Sequence, residues 1–278
     1  MDVLDLTESF AVYAEQATSH DPASRSVDQF LTANSSLSVA RSGTDKFRSL
    51  ATAMSNDATR HLALACSTFA HGLEGSMKGT TQWSGVSFYY ASFHAAKVVS
   101  LTSGAWFIKK KLWIDIDRTS TNKIGFQIHR TAHPGILVGR GPHKDFWSFY
   151  QVLSNKIASE VTSQYEWAVV LDTNEIDLVH DLRKELNYDP QIGLETALAH
   201  SETYTNGEFS NWLHGRPATL YQYARAYVGY AVHRAKSIGL NAPVFDGIFT
   251  DCQSFAESQF NWTRNQAVND DIIEQLRH

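Results

Sequence analysis

The chain has 278 residues, 24 basic and 29 acidic side chains and a formal net charge of −5, which excludes a uniformly basic nucleic-acid binder. Hydrophobic residues make up 43% and aromatics 12%, enough for a sizeable core and too much for wholesale disorder. Cys66 and Cys252 are the only cysteines, too few for a disulfide framework or a zinc site. No secretory leader and no apolar run near the ~18 residues of a membrane span stand out, so a cytoplasmic protein with no membrane partner is expected.

Leu4 to Ala14 has helical apolar spacing, and D-P-A-S-R-S at 21–26 reads as a turn. Val27 to Ala40 fits no single periodicity, and Lys46 to Met54 predicts a short helix. A firmer helix is expected from Asp57 to Leu73, followed by G-L-E-G-S-M-K-G-T-T, which reads as a glycine-rich linker. From Trp83 to Leu101 a helix carries two stripes. Val86, Tyr89, Phe93 and Ala96 are its apolar ladder, and Ser87, Tyr90, His94 and Lys97 a polar one. Other positions are small or apolar, so the helix should be buried nearly all round, and a buried polar stripe needs partners. Either its Tyr and His hydrogen-bond structurally, or the stripe faces a second one and makes a site.

The pattern changes at residues 106–150. Leu112, Ile114 and Ile116 alternate with Trp113, Asp115 and Asp117, and Ile124, Phe126 and Ile128 alternate after T-S-T-N-K. That is strand periodicity, and a β-hairpin or small sheet is predicted, its charged residues turned outward. Eight basic residues against three acids fall here, whereas the rest of the chain has 16 basic against 26 acidic. Lys109, Lys110, Lys111, Arg118, Lys123, Arg130 and Arg140 are therefore candidate nucleic-acid contacts, with Trp106, Phe107, Trp113, Phe126, Phe146 and Trp147 as rings for bases to stack on. A solvated basic edge that blunts strand pairing is the alternative for Lys109–Lys111. His129, His133 and His143 lie nearby without cysteines, and G-R-G-P-H-K lacks phosphate-loop spacing, so no metal or other cofactor is expected.

Helical pattern resumes from Lys144 to Ser163, then in E-I-D-L-V-H-D-L-R-K-E-L-N-Y-D-P, where Ile176, Val179, Leu182 and Leu186 form an apolar face. Thr173 or Asn174 can cap this helix and Pro190 ends it. His180, Arg183 and Asn187 share one side, with Tyr188 beside them. Further helices are expected at Ile192–His200, at Arg216–Ile238 with Gly239 as the stop, and after Phe255. The division is 1–105 (N-terminal helices and first core helix), 106–146 (basic β-rich insertion) and 147–278 (remaining bundle helices), forming one composite domain.

Y-Y-A-S-F-H-A-A-K-V-V at 89–99 resembles the first core helix of the HEPN superfamily, and L-R-K-E-L-N-Y-D-P at 182–190 resembles its later, Arg-bearing helix. The match covers two short segments. It implies a mainly α, HEPN-like helical bundle, here with the β insertion, and many members are metal-independent ribonucleases that dimerise about a shared cleft. Where the family pattern has a His four to six residues after its Arg, this chain has Tyr188, and Lys184 follows Arg183; Arg225 and Tyr230 repeat the Arg-to-Tyr spacing. The resemblance implies an RNA-acting protein, a metal-independent endoribonuclease of a prokaryotic defence or toxin–antitoxin system. Arg183 would stabilise phosphate charge, Tyr188 or His94 handle the proton, and Tyr90 and Asn187 position. The alternative is a catalytically inactive subunit that binds nucleic acid or a protein partner in such a defence complex. A homodimer is compatible with both.

Overall fold

The computed structural model describes residues 1–17, 25–77, 80–109, 111–120, 123–136, 139, 141–157, 173–189 and 215–240. The described residues form helices α1 (Leu6–Ala17), α2 (Val27–Ala33), α3 (Asp45–Met77), α4 (Thr81–Thr102), α5 (Pro142–Ile157), α6 (Thr173–Tyr188) and α7 (Gly215–Ser237). Strands β1 (Val39–Arg41), β2 (Trp106–Lys109), β3 (Leu112–Ser120) and β4 (Lys123–His129) complete them. The fold is mainly helical with one four-stranded antiparallel sheet. The helices expected at 192–200 and after Phe255 lie outside the described residues.

One correction concerns the segment read as a linker. The short helix, the firm helix and most of the glycine-rich stretch are a single 33-residue helix, α3. Its glycines are there for proximity. A Cβ on Gly72 would sit 2.6 Å from the buried Phe88 ring, and one on Gly75 would meet Ser84 Oγ at 2.7 Å. Glycine costs a helix up to about 1 kcal/mol per position, and here the close approach of a neighbouring helix offsets it. The chain then folds α4 back along α3, with Phe88 against Gly72 and His94 against His61.

Helix α4 is the centre of the bundle, packed between α3 and α7 with α5 and α6 against it. From Ser84 to Ser103, the residues not fully buried are Ser87, Tyr90, His94 and Lys97. The polar stripe read from the sequence is thus the one line of α4 left open between its neighbours. Helix α7 ends as its sequence suggests: Gly239 takes φ 73°, Leu240 N–H donates to Ala235 O at 3.0 Å and Gly239 N–H to Lys236 O at 3.0 Å. Those are the paired bonds of a glycine-terminated helix. The wholly buried Arg234 ties α7 to the rest, donating to Leu4 O (3.1 Å), Ser9 Oγ (3.0 Å) and Thr102 Oγ1 (3.1 Å).

The sheet order is β1-β4-β3-β2. Strand β1 comes from the stretch whose periodicity was ambiguous, because three residues are too few to show alternation. The strand beside β4 is supplied from residues 39–41, and one hydrophobic cluster includes residues from all three segments of the chain. The outward-charge expectation for β3 fails. Leu112 through Asp117 are all buried, so both faces of that strand are covered. Asp115 stays there because His129 Nε2 lies 2.8 Å from its Oδ1 and Asp2 N–H donates to its Oδ2, giving a buried carboxylate the partners it requires.

The expected base-stacking rings are core residues instead. Trp106, Phe107, Trp113, Phe126, Phe146 and Trp147 are all at most 8% exposed, which leaves no ring face for a base. Their apolar area stabilises the helix–sheet junction, worth about 1.5–3 kcal/mol for each fully buried side chain.

Candidate functional site on the polar edge of α4

Two helices converge on Tyr89 and Tyr90 of α4. Helix α6 brings Arg183, whose guanidinium carbon is 5.4 Å from the centre of the Tyr89 ring and 5.8 Å from that of Tyr90. The first turn of α5 brings His143, whose Nδ1 is 3.1 Å from the Tyr89 hydroxyl and whose ring stacks on Phe93 at 4.4 Å. Trp147, one turn further along α5, donates its indole N–H to the same hydroxyl at 3.2 Å. His180 of α6 meets the Tyr89 ring edge-on at 6.4 Å, its Nδ1 3.2 Å from Asp181.

Local sequence explains how each group is held. Pro142 opens α5, where a missing N–H costs nothing, and sets His143 in the first turn. Val179, Leu182 and Leu186 bury one face of α6, which leaves Arg183 at the boundary between core and solvent. Gly85 lets α6 approach: a Cβ there would lie 2.5 Å from Leu186.

The electrostatics are unusual for a helical core. Burial is the main cause that pushes His143 down to about 4, and the nearby Arg183, Lys97 and His180 add to it. Burial raises Tyr89 to about 12, partly opposed by the bond from Trp147 and by Arg183. At neutral pH the pair is therefore a neutral imidazole and a neutral phenol beside a permanent cation. Among the described residues Arg183 Nε is shut from solvent and has no hydrogen-bond partner, while the guanidinium as a whole lies near enough to the Tyr89 hydroxyl to favour its ionised form. A buried, unsatisfied donor on a cation costs roughly 1–3 kcal/mol, and an anion with acceptor oxygens would relieve it.

His94 does something other than expected. Its Nδ1 lies 3.1 Å from Nδ1 of His61 on α3, and the rings stack at 5.1 Å. No hydrogen bond or ring contact joins it to Arg183. Burial, with Lys97 adding, lowers His94 to about 4 and His61 to about 2. One ring must donate and the other accept, so protonating both breaks the contact. The unfolded chain takes up these protons near 6.5 and the folded one does not, so stability is present above 6.5 and lost as pH falls from 6.5 towards 4. The slope approaches about 1.4 kcal/mol per pH unit for each histidine. Urea midpoints between pH 7 and 4.5 should fall steeply, and less so for His61→Phe; equal slopes in the two proteins would refute the pairing.

The remaining sequence candidates separate. Asn187 is half-buried one turn beyond Arg183. The side chains of Tyr188 and Lys123, and residues Lys110 and Arg140, lie outside the described residues. Lys109 and Lys111 are exposed at the β2–β3 turn, and Arg130 is exposed just after β4, donating to Asn34 O at 3.3 Å. Arg118 is at the other end of β3. It is not offered to a ligand: it donates to Glu8 (2.7 Å to Oε2) and Val3 O (2.8 Å) and pairs with Asp2 at 2.6 Å. Strand β3 spans roughly 30 Å at ~3.3 Å per residue, so the basic positions fall at two ends rather than on one patch. The three nearby histidines also part company. His129 pairs with Asp115, His133 Nδ1 accepts from Gly135 N–H at 3.0 Å, and His143 meets Tyr89. Among the described residues no group of three or more His, Cys, Asp or Glu could hold a metal ion, and no helix is long and apolar enough to cross a membrane.

In the sequence Tyr89 counts only as part of the apolar ladder and His143 only as one of three histidines too poorly supported for a metal site. His143 lies in G-R-G-P-H-K, and its signal was the proline just before it, which marks a helix start. Compared with known proteins, the chain matches no family model, no curated protein and no solved structure. Fold and site define a mainly helical protein with a small antiparallel sheet and an Arg–His–Tyr cluster on its central helix.

Proposed function

We propose that the protein acts on RNA as a HEPN-like, metal-independent endoribonuclease, with Arg183 and His143 as its working pair. The observation that carries this reading is the buried, unpartnered Nε of Arg183 over two tyrosine rings, next to an imidazole kept neutral. Cleavage by the ribose 2′-hydroxyl needs a base for its proton and a cation for the charge that develops on phosphate. Tyr89 has a hydroxyl that can meet either tautomer of His143. When that hydroxyl accepts from Nδ1–H, Nε2 keeps a free lone pair and can take the 2′-proton. Arg183 then stabilises the pentacoordinate phosphate as the bond to the 5′-oxygen breaks, that oxygen takes a proton from the imidazolium just formed or from water, and Tyr90 walls the site. The basic β2–β3 turn, with Lys109 and Lys111, supports contact with a phosphate backbone nearby. A cytoplasmic setting and a defence or toxin–antitoxin role, with a protein partner or a second copy, remain part of this proposal.

The test is incubation of a labelled mixed-sequence RNA with EDTA present. The expected products end in 2′,3′-cyclic phosphate, and a 2′-deoxy analogue stays intact. Equal cutting of the deoxy strand would overturn the mechanism. Retarded but uncut RNA would favour the binding subunit instead, for which the absence of a His five residues after Arg183 speaks.

The pH profile follows from the site. A base whose pKa lies near 4 stays available in mild acid. The acid limb of kcat/KM should therefore bend near 4, and activity at pH 5.5 should be close to that at pH 7. A limb at 6.5 would assign the proton to another group.

A further inference from the structure

A pocket of about 540 Å³ opens beside the candidate site, between α4, the edge strand β2 and the loop leading into α5. Its walls are apolar: Phe93, Phe107, Ile108 and Phe146. Its charges are Lys97 and Lys109, with Asp145 as the acid of the lining and His143 shared with the site described above. The volume is that of a small-molecule site, and the mixture of flat apolar walls with few polar groups is what such sites use.

Lys97 is the informative residue. It is half-buried on the open line of α4, its Nζ 4.4 Å above the Phe93 ring and 5.8 Å from those of Trp106 and Phe146. No carboxylate lies within ion-pair distance of it among the described residues. Asp57, which favours its charge from further away, is engaged by Val27 N–H at 2.9 Å and by Arg60 at 2.8 Å. Asp145 accepts Gly139 N–H at 3.2 Å. An ammonium drawn into an aromatic box without a counter-charge is costly, unless a ligand supplies one. Burial has already lowered its pKa to about 8. The mouth is kept clear by Gly139 and Gly141, whose φ values of 93° and 104° disfavour side chains there.

We infer that this pocket binds a phosphate monoester that carries an aromatic ring, the ring lying along Ile108 and the edges of Phe107 and Phe146 and the phosphate between Lys97 and Lys109. A phosphate monoester carries about −1.5 to −2 charges at pH 7, which suits two ammonium groups better than a carboxylate would. Such a group occurs on a free mononucleotide and at the 5′ end of an RNA. This assignment goes beyond RNA cleavage and does not depend on it, since its readout is binding alone.

Pyridoxal 5′-phosphate is the probe: an aromatic phosphate monoester whose aldehyde condenses with an amine, releasing water, to give an imine that borohydride fixes. The expected result on the full chain is saturable labelling mapped by mass spectrometry to Lys97, about one label per chain. AMP should compete and adenosine should not, because the phosphate is the anchor. Lys109→Met, which leaves the labelled amine in place, should lower labelling of Lys97 roughly tenfold, the loss of one charge-assisted contact to the phosphate. Ile108→Trp, which fills the pocket and leaves the lysine in place, should do likewise, so the inference does not rest on one variant's folding. Stronger competition by AMP identifies the free mononucleotide as occupant, and stronger competition by a 5′-phosphorylated RNA decamer identifies the chain end. Label spread over Lys46, Lys111 and Lys156, or competition by adenosine equal to that by AMP, would overturn the assignment.

Discussion

Arg183→Ala should lower metal-free RNA cleavage by about 10²–10³, the usual loss when one preorganised group facing developing charge is removed. The guanidinium is held over Tyr89 and Tyr90 before any ligand arrives, so it needs no reorganisation when phosphate charge builds. Arg183→Lys should recover only part of the rate. A lysine keeps the charge but has neither the planar fork nor the flat face that stacks on the rings. Since Arg183 sits at the half-buried edge of α6, the alanine variant should unfold at nearly the wild-type urea concentration. Single-turnover rates at saturating enzyme separate this loss from weaker binding. A rate within threefold of wild type would remove Arg183 from the mechanism.

Arg234→Ala should instead destabilise the fold by about 3–5 kcal/mol, read as a shift in urea midpoint. Its guanidinium is wholly buried and reaches Leu4, Ser9 and Thr102, in the N-terminal segment and at the end of α4. Truncation leaves those acceptors without a donor in a site closed to water and opens a cavity in the same place. Tyr13 lies close by, its hydroxyl donating to Leu101 O at 2.8 Å, so the junction of α1, α4 and α7 would loosen together. A shift below 1 kcal/mol would mean that water replaces the guanidinium, and the site is not sealed.

The candidate site and the buried Arg234 were not equally legible. The polar line of α4 could be read directly, because helical spacing places Ser87, Tyr90, His94 and Lys97 on one side whatever packs around them. The partners of that line could not. Sequence spacing reports the face on which a residue lies, and says nothing of which distant residue meets it. His94 therefore looked like a partner for Arg183, whereas His61, 33 positions upstream on a helix folded back along α4, takes its ring. Gly72 and Gly75 misled for a related reason: glycine marks a loop or a close helix contact, and only Phe88 and Ser84 decide between them. The basic segment was legible as charge and as strand, and its division into two ends follows only from the register of β3. Arg234 carried no local signal at all, since nothing in the spacing sets it apart from Arg216 and Arg225 on the same Tyr-rich helix.

Arg183 is the arginine proposed to meet phosphate, and Arg225, with the same spacing to a tyrosine, is not. The most direct measurement is cleavage of one labelled RNA in EDTA by wild type, Arg183→Ala and Arg225→Ala side by side. The prediction is cyclic-phosphate products from wild type and Arg225→Ala at similar rates, and from Arg183→Ala at least a hundredfold more slowly. Equal rates for the two variants, or loss confined to Arg225→Ala, would contradict it.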